Sequence, residues 1–123
     1  MGTRLAYTAE HLSLAMIEYF VYIGSDDAPR DLVVVTVEIP DGVSRARFST
    51  RRLPADWREN PAPAALARFG DQFVLKRHHA VLIVPSALSP AESDWLIDPA
   101  HPDFAKIRVA SKDEFQYDER FFK

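Results

Sequence analysis

The side chains that stand out for chemistry in this sequence are a glutamate, a serine, a cluster of arginines and a pair of histidines. Glu18 falls beside Leu14, Ala15 and Tyr22 in a stretch of helical spacing that is mostly apolar. A carboxylate there is either an edge residue in water, the commoner case, or one held in a pocket, where it can act as acid, base or charge stabiliser. Ser86 follows the run Ala80-Val81-Leu82-Ile83-Val84-Pro85. A chain leaving a central strand often presents a side chain to a ligand at that point. The same serine also reads as the cap of a turn, since Ser86-Ala87-Leu88-Ser89-Pro90 is good turn chemistry. Arg45, Arg47, Arg51, Arg52 and Arg58 lie close together. Guanidinium suits two-pronged phosphate contact, and the same residues equally fit a solvated strand face and loop. His78 and His79 are adjacent with no carboxylate at ligand spacing. They read as favourable charge at the end of a helix rather than as metal ligands.

Those residues need elements to position them. The apolar run from Ala80 to Val84, short and rich in β-branched residues, predicts a strand covered on both faces. Pro85 should end its pairing. Leu5–Thr8 predicts a short strand, with Thr8 as N-cap and Glu10 in the first turn of a helix over 9–22. Leu12, Met16, Tyr19 and Ile23 should form its buried face. Strand 32–39, the turn Pro40-Asp41-Gly42 and a return strand through Val43, Ala46 and Phe48 predict a hairpin. A second helix over 64–77 should bury Leu66, Phe69 and Phe73, with Gly70 marking close packing. Asp94–Ile97 and Lys106–Ala110 read as strands, and alternating Phe115, Tyr117, Glu119 and Phe121 as a last one. The whole is an α+β domain, a small mixed or antiparallel sheet with two main helices.

At 123 residues the chain fits one domain, residues 1–123, with 47% apolar and 27% charged residues. A net charge of −3 argues against nucleic-acid binding through a basic face. Disulfides, thiolate nucleophiles and sulfur-ligated zinc are excluded, because there is no cysteine. The four glycines are not clustered, so there is no phosphate loop, and Ser86 lies in no Gly-x-Ser-x-Gly elbow. Arg4, Glu10, His11 and Glu18 interrupt the region where a signal peptide would be apolar, and no run approaches a membrane span. A cytoplasmic protein is expected.

Three segments carry a resemblance. Leu5-Ala6-Tyr7-Thr8-Ala9-Glu10 leads into Ser13-Leu14-Ala15-Met16-Ile17-Glu18, a tyrosine strand and then a helix with a glutamate. Leu53-Pro54-x-x-Trp57, Pro61-Ala62-Pro63 and Gly70-Asp71 come next. Val84-Pro85-Ser86-Ala87 and Trp95-Leu96-Ile97-Asp98-Pro99-Ala100-His101-Pro102-Asp103-Phe104 complete the order. Together these resemble the RES-domain family, the toxin half of bacterial RES–Xre toxin–antitoxin pairs, over nearly the whole chain. The family is named after an arginine, a glutamate and a serine. Glu18 matches the glutamate, Ser86 the serine and Tyr7 the strand tyrosine. The family's arginine lies upstream, in a Gly-Gly-Arg-Trp-Asn-like segment. Here Met1-Gly2-Thr3 stands at the lead into the tyrosine strand, so the domain is expected to be N-terminally short. Asp94 and Asp98 stand where the family often has asparagine.

The resemblance implies an ADP-ribosyltransferase-like fold and consumption of NAD⁺ by cleavage of the nicotinamide–ribose bond, with hydrolysis, phosphorolysis or ADP-ribosyl transfer. It implies Glu18 and Ser86 as catalytic residues and Tyr7 as the NAD⁺-binding ring. NAD⁺ is then a substrate, and no metal takes part. The implied partner is an Xre-like helix-turn-helix antitoxin, with a homodimer inside that complex and no direct nucleic-acid or membrane binding. The alternatives are a non-catalytic RES-like binding domain and an unrelated small cytosolic binding module.

Overall fold

Val81–Pro85 is the strand through which the rest of the sheet is connected. The computed structural model describes residues 5–23, 29–53, 55–59, 64–76 and 78–122. In chain order the regular elements are β1 (Ala6–Ala9), α1 (Leu12–Ile23), β2 (Leu32–Glu38), β3 (Arg45–Arg47), α2 (Ala64–Lys76), β4 (Val81–Pro85), β5 (Ser93–Ile97) and β6 (Arg108–Phe115). Short 3₁₀ turns cover Thr50–Arg52, Pro102–Lys106 and Glu119–Phe122. This is an α+β architecture with one mixed four-stranded sheet, order β1-β5-β4-β3, and a separate antiparallel ribbon of β2 and β6.

The apolar run behaves as its composition requires. Ala80 and Val81 are 0% exposed, and Leu82 and Ile83 2%. Val81 and Ile83 join Val43 and Ile97 on one face, with Ile39, Trp95 and Ile107 packed against them. Leu82 joins Leu96 on the other, beneath Phe73 and Val74 of α2. Val84 packs against this second cluster. Gly70 lies against Leu5, whose Cδ1 would be 3.5 Å from an added Cβ. The side chains of Arg52, Leu66 and Phe69 fall outside the described residues, as do residues 1–4, 24–28, 54, 60–63, 77 and 123.

The structure corrects several expectations. Residues 32–48 do not form a hairpin. β2 pairs along its length with β6, from Leu32↔Phe115 to Glu38↔Arg108, while β3 pairs parallel with β4 from Arg45↔Val81 to Arg47↔Ile83. The Pro40 turn exists, closed by Val43 N–H donating to the Pro40 carbonyl at 3.0 Å. The chain after it is captured elsewhere. Ser44 N–H donates to the Asp103 carboxylate, and the Ser44 carbonyl accepts from Ala80 and Val81. A parallel pair needs a long crossover, and the segment containing α2 supplies it.

Thr8 is not a helix cap. It belongs to β1, its hydroxyl donates to the Trp95 carbonyl at 2.8 Å, and Glu10 N–H continues the ladder to Ser93. α1 therefore starts later, with Ala15 N–H donating to His11. Its face is also turned. Leu14 is 1% exposed, while Leu12 and Tyr19 stand 51% and 41% exposed. The last strand ends at Phe115, and the chain beyond it turns into the 3₁₀ segment Glu119–Phe122 rather than staying extended. Tyr117 is buried, donates its hydroxyl to the Met16 carbonyl and packs in an aromatic cluster with Phe20, Phe115, Phe121 and Phe122. That cluster folds the terminus back onto α1, which a strand could not do. Lys106 ends a 3₁₀ turn, ion-paired to Asp103 at 3.1 Å, and β6 begins beyond it at Arg108.

Candidate active site

The turned face of α1 decides where Glu18 goes. Leu14 anchors the helix in the core, and Glu18 lies one turn further along the same face. Glu18 is half-buried, not an edge residue in water. Its Oε2 accepts a hydrogen bond from Ser86 Oγ at 3.0 Å. Ser86 is 0% exposed. Pro85, paired with Ser93, is the last residue of β4, and Ser86 N–H donates to the Glu92 carbonyl. The serine hydroxyl also accepts from Leu88 and Ser89 N–H, at 3.2 and 3.3 Å. Ser86 thus caps its turn and reaches Glu18 at once.

Asp94 completes the cluster. It stands in β5 opposite Val84 on one side and Ala9 on the other. It hydrogen-bonds with Glu18, and its carboxyl is pushed up to about 8, first by burial, then by that bond and by the charges of Glu18 and Glu10. The sequence marked Asp94 only as a departure from asparagine. No signal in the sequence places it, because its position depends on the register that sets it opposite Val84 at the end of the apolar strand.

Tyr7 stands apart from this trio. Its ring is 77% exposed on the edge strand β1. The register Tyr7↔Leu96 and Ala9↔Asp94 puts Tyr7 on the same sheet face as Asp94. Residues Tyr7 to Leu12 also wall a cleft of about 460 Å³ against β2, which neither Glu18 nor Ser86 lines.

The arginines are not simply a solvated face. Arg45 donates to the Pro40 and Val43 carbonyls and lies 5.3 Å over the Trp95 ring. Arg58 Nε donates to the Ala87 carbonyl at 2.7 Å, against the loop that carries Ser86. Arg47 reaches the Ser93 hydroxyl, beside Asp94, at 3.4 Å. Among the described residues, Glu10, His11 and Glu92 bring possible metal-ligand atoms within 4.8 Å of one another. Both carboxylates are already in use, Glu10 by Ser93 N–H and Glu92 by the Ser89 hydroxyl.

The Glu18–Ser86 hydrogen bond joins a buried serine and a helix glutamate from distant parts of the chain, and the RES domain family matches residues 1–118. The chain belongs to the RES-domain family. Its α+β arrangement is of the ADP-ribosyltransferase-like class to which RES domains belong. It is 34% identical over 125 aligned positions to the "Prs ADP-ribosylating toxin" of Sphingobium sp. (strain YBL2), covering all of this chain and 78% of that protein. It is 29% identical to a "Toxin Res" of Photorhabdus laumondii, covering 100% of this chain and 79% of the other. A "Toxin Res" of Yersinia enterocolitica is 31% identical over 103 residues, 84% of this chain and 67% of its own length. This RES domain is thus similar to proteins named as toxins. No helix among its described residues is long and apolar enough to cross a membrane.

Proposed function

We propose that this RES domain is a toxin that cleaves the nicotinamide–ribose bond of NAD⁺ and passes the ADP-ribosyl group to water, phosphate or a protein. The observation that carries this reading is the Glu18–Ser86 hydrogen bond, with Asp94 beside it. Breaking the nicotinamide–ribose bond builds positive charge on the ribose, as in glycoside cleavage. A fixed carboxylate next to the sugar lowers the barrier by meeting that charge as it develops. Glu18 takes this role. Ser86, buried and with its hydrogen already given to Glu18, orients the carboxylate rather than the sugar. Tyr7 offers an exposed ring on which a nicotinamide or adenine can stack. Arg58, held against the Ser86 loop, supplies a guanidinium for the pyrophosphate.

A protein that drains NAD⁺ needs a neutralising partner in its own cell. The name "Toxin Res" borne by relatives supports an antitoxin. We take it to be an Xre-like helix-turn-helix protein, bound in the cytoplasm to a homodimer of this chain. The test is nicotinamide release from NAD⁺ by the purified chain, beside its Glu18→Gln variant. Release by the parent chain alone is expected. Silence from a folded parent chain overturns the enzymatic reading in favour of a non-catalytic binding domain.

A further inference from the structure

We infer that Asp94 is a positioning residue: it carries a proton that it lends to Glu18, and so fixes the Glu18 carboxylate against Ser86. This rests on the reading of Glu18 as the group that meets the ribosyl charge.

The donors around the two carboxyls are unequal. Glu18 receives the Ser86 hydroxyl hydrogen at Oε2. A hydrogen bond given to a carboxylate favours its charged form. Asp94 receives nothing comparable: its Oδ1 is buried and accepts from no N–H or O–H among the described residues. Beside it lies the Glu18 carboxyl. Two carboxylates in contact cannot both ionise readily, so the pair keeps one proton between them. The serine decides the side on which it rests. Asp94 holds the hydrogen and donates it to Glu18, which Ser86 already serves. The glutamate is then gripped from two directions.

Asp94 is well placed to hold its half of this contact. Its backbone sits inside the ladder, between Val84 of β4 and Ala9 of β1. That pairing fixes the backbone position from which the side chain reaches Glu18. The charges that reach it are Glu18 from α1 and Glu10 from the turn before α1, both of which oppose a second negative charge. Glu92, in the preceding turn, is occupied by Ser89, and His11 lies 3.9 Å from Glu10. From β3, Arg47 stops at the Ser93 hydroxyl. Across β4 the neighbour is apolar Val84. No described cation meets Asp94 directly, so loss of its proton sets two negative charges face to face and removes one of the two donors that grip Glu18. Asparagine at this position would donate the same hydrogen bond without titrating.

The experiment is a carboxyl-carbon NMR titration of the full chain and its Asp94→Asn variant, run beside NAD⁺ cleavage as a function of pH. One carboxyl resonance should titrate far above the ordinary carboxylate range and be missing from D94N. Turnover by the parent chain should fall on the alkaline side, and that fall should be absent in D94N. Asp94→Ala should lower kcat by about tenfold or more, and D94N should restore most of it. The inference is overturned if every carboxyl titrates in the ordinary range, or if D94N keeps the alkaline fall. Absence of cleavage by all chains counts against the proposed function, while the NMR titration still decides the proton.

Discussion

Ser86 Oγ and Glu18 Oε2 lie 3.0 Å apart and join the end of the central strand to the middle of α1. The same hydroxyl accepts from Leu88 and Ser89 N–H. One buried atom therefore holds both a turn and a helix side chain in place.

Replacing Ser86 by alanine should act on stability and on turnover together. The change strands Leu88 and Ser89 N–H and removes the donor to Glu18. Buried groups left without partners cost about 1–3 kcal/mol. Urea denaturation should show a midpoint lowered accordingly. An unchanged midpoint would mean that these groups find water instead.

Glu18→Gln should separate chemistry from folding. The amide keeps an acceptor for Ser86 but carries no charge. Nicotinamide release should drop by about a hundredfold or more, with a thermal transition close to that of the parent chain. Retained turnover would remove Glu18 from the chemistry.

Leu14→Ala tests whether the anchor of α1 sets the position of Glu18. Leu14 is 1% exposed, and truncations of buried leucine cost about 2–5 kcal/mol. Thermal unfolding should show that loss. In the folded fraction kcat should fall more than KM changes, because the carboxylate is displaced while the outer surface stays.

Stability should depend on pH through Asp94 and Asp103, in opposite senses. Asp94 is raised from 3.8 to about 8, so the folded chain binds more protons than the unfolded one across that window. Its contribution is present at low pH and is lost as pH rises toward 8. Asp103 is lowered from 3.8 to about 2, chiefly by the backbone N–H of Ser44. Its contribution is present above 3.8 and lost as pH falls toward 2. Thermal melting across pH should show D94N flattened on the neutral side and Asp103→Asn flattened on the acid side. Parallel profiles for all three chains would contradict both assignments.

Tyr7→Phe should leave KM for NAD⁺ near that of the parent chain, and Tyr7→Ala should raise it by about tenfold, since ring stacking is worth roughly 0.5–1.5 kcal/mol or more. Equal KM for the two variants would take the ring out of the binding site.

Some of this was readable in the residues and some was not. The run Ala80–Val84 reads as a covered strand because apolar residues on both faces leave no other packing, and Pro85 marks its end. The face expected of α1, through Leu12, Met16, Tyr19 and Ile23, is turned in the structure because Leu12-Ser13-Leu14-Ala15-Met16-Ile17 and Tyr19-Phe20-Val21-Tyr22-Ile23 are apolar almost all round. Periodicity cannot orient such a helix; the Phe20–Tyr117 packing and the burial of Leu14 do. β3, Arg45-Ala46-Arg47, is too short to announce a partner, and its parallel pairing depends on Ser44 meeting Ala80 and Asp103 far along the chain. Phe115, Tyr117 and Phe121 at odd positions among polar residues read as an alternating strand, whereas the Tyr117 hydroxyl is spent on α1. For the site, Glu18 and Ser86 stood out by type. The role of Asp94 depends on register and on a missing donor, neither of which a linear pattern displays.

The Glu18–Ser86 bond closes a loop of 68 residues, and β5, which supplies Asp94, comes later still. During synthesis the helix and its glutamate leave the ribosome long before their companions. Until residues through Ile97 have emerged, β1 has no strand to pair with and Glu18 lacks Asp94. A chain cut short before β5 therefore lacks both the partner of β1 and Asp94, and cannot assemble the site.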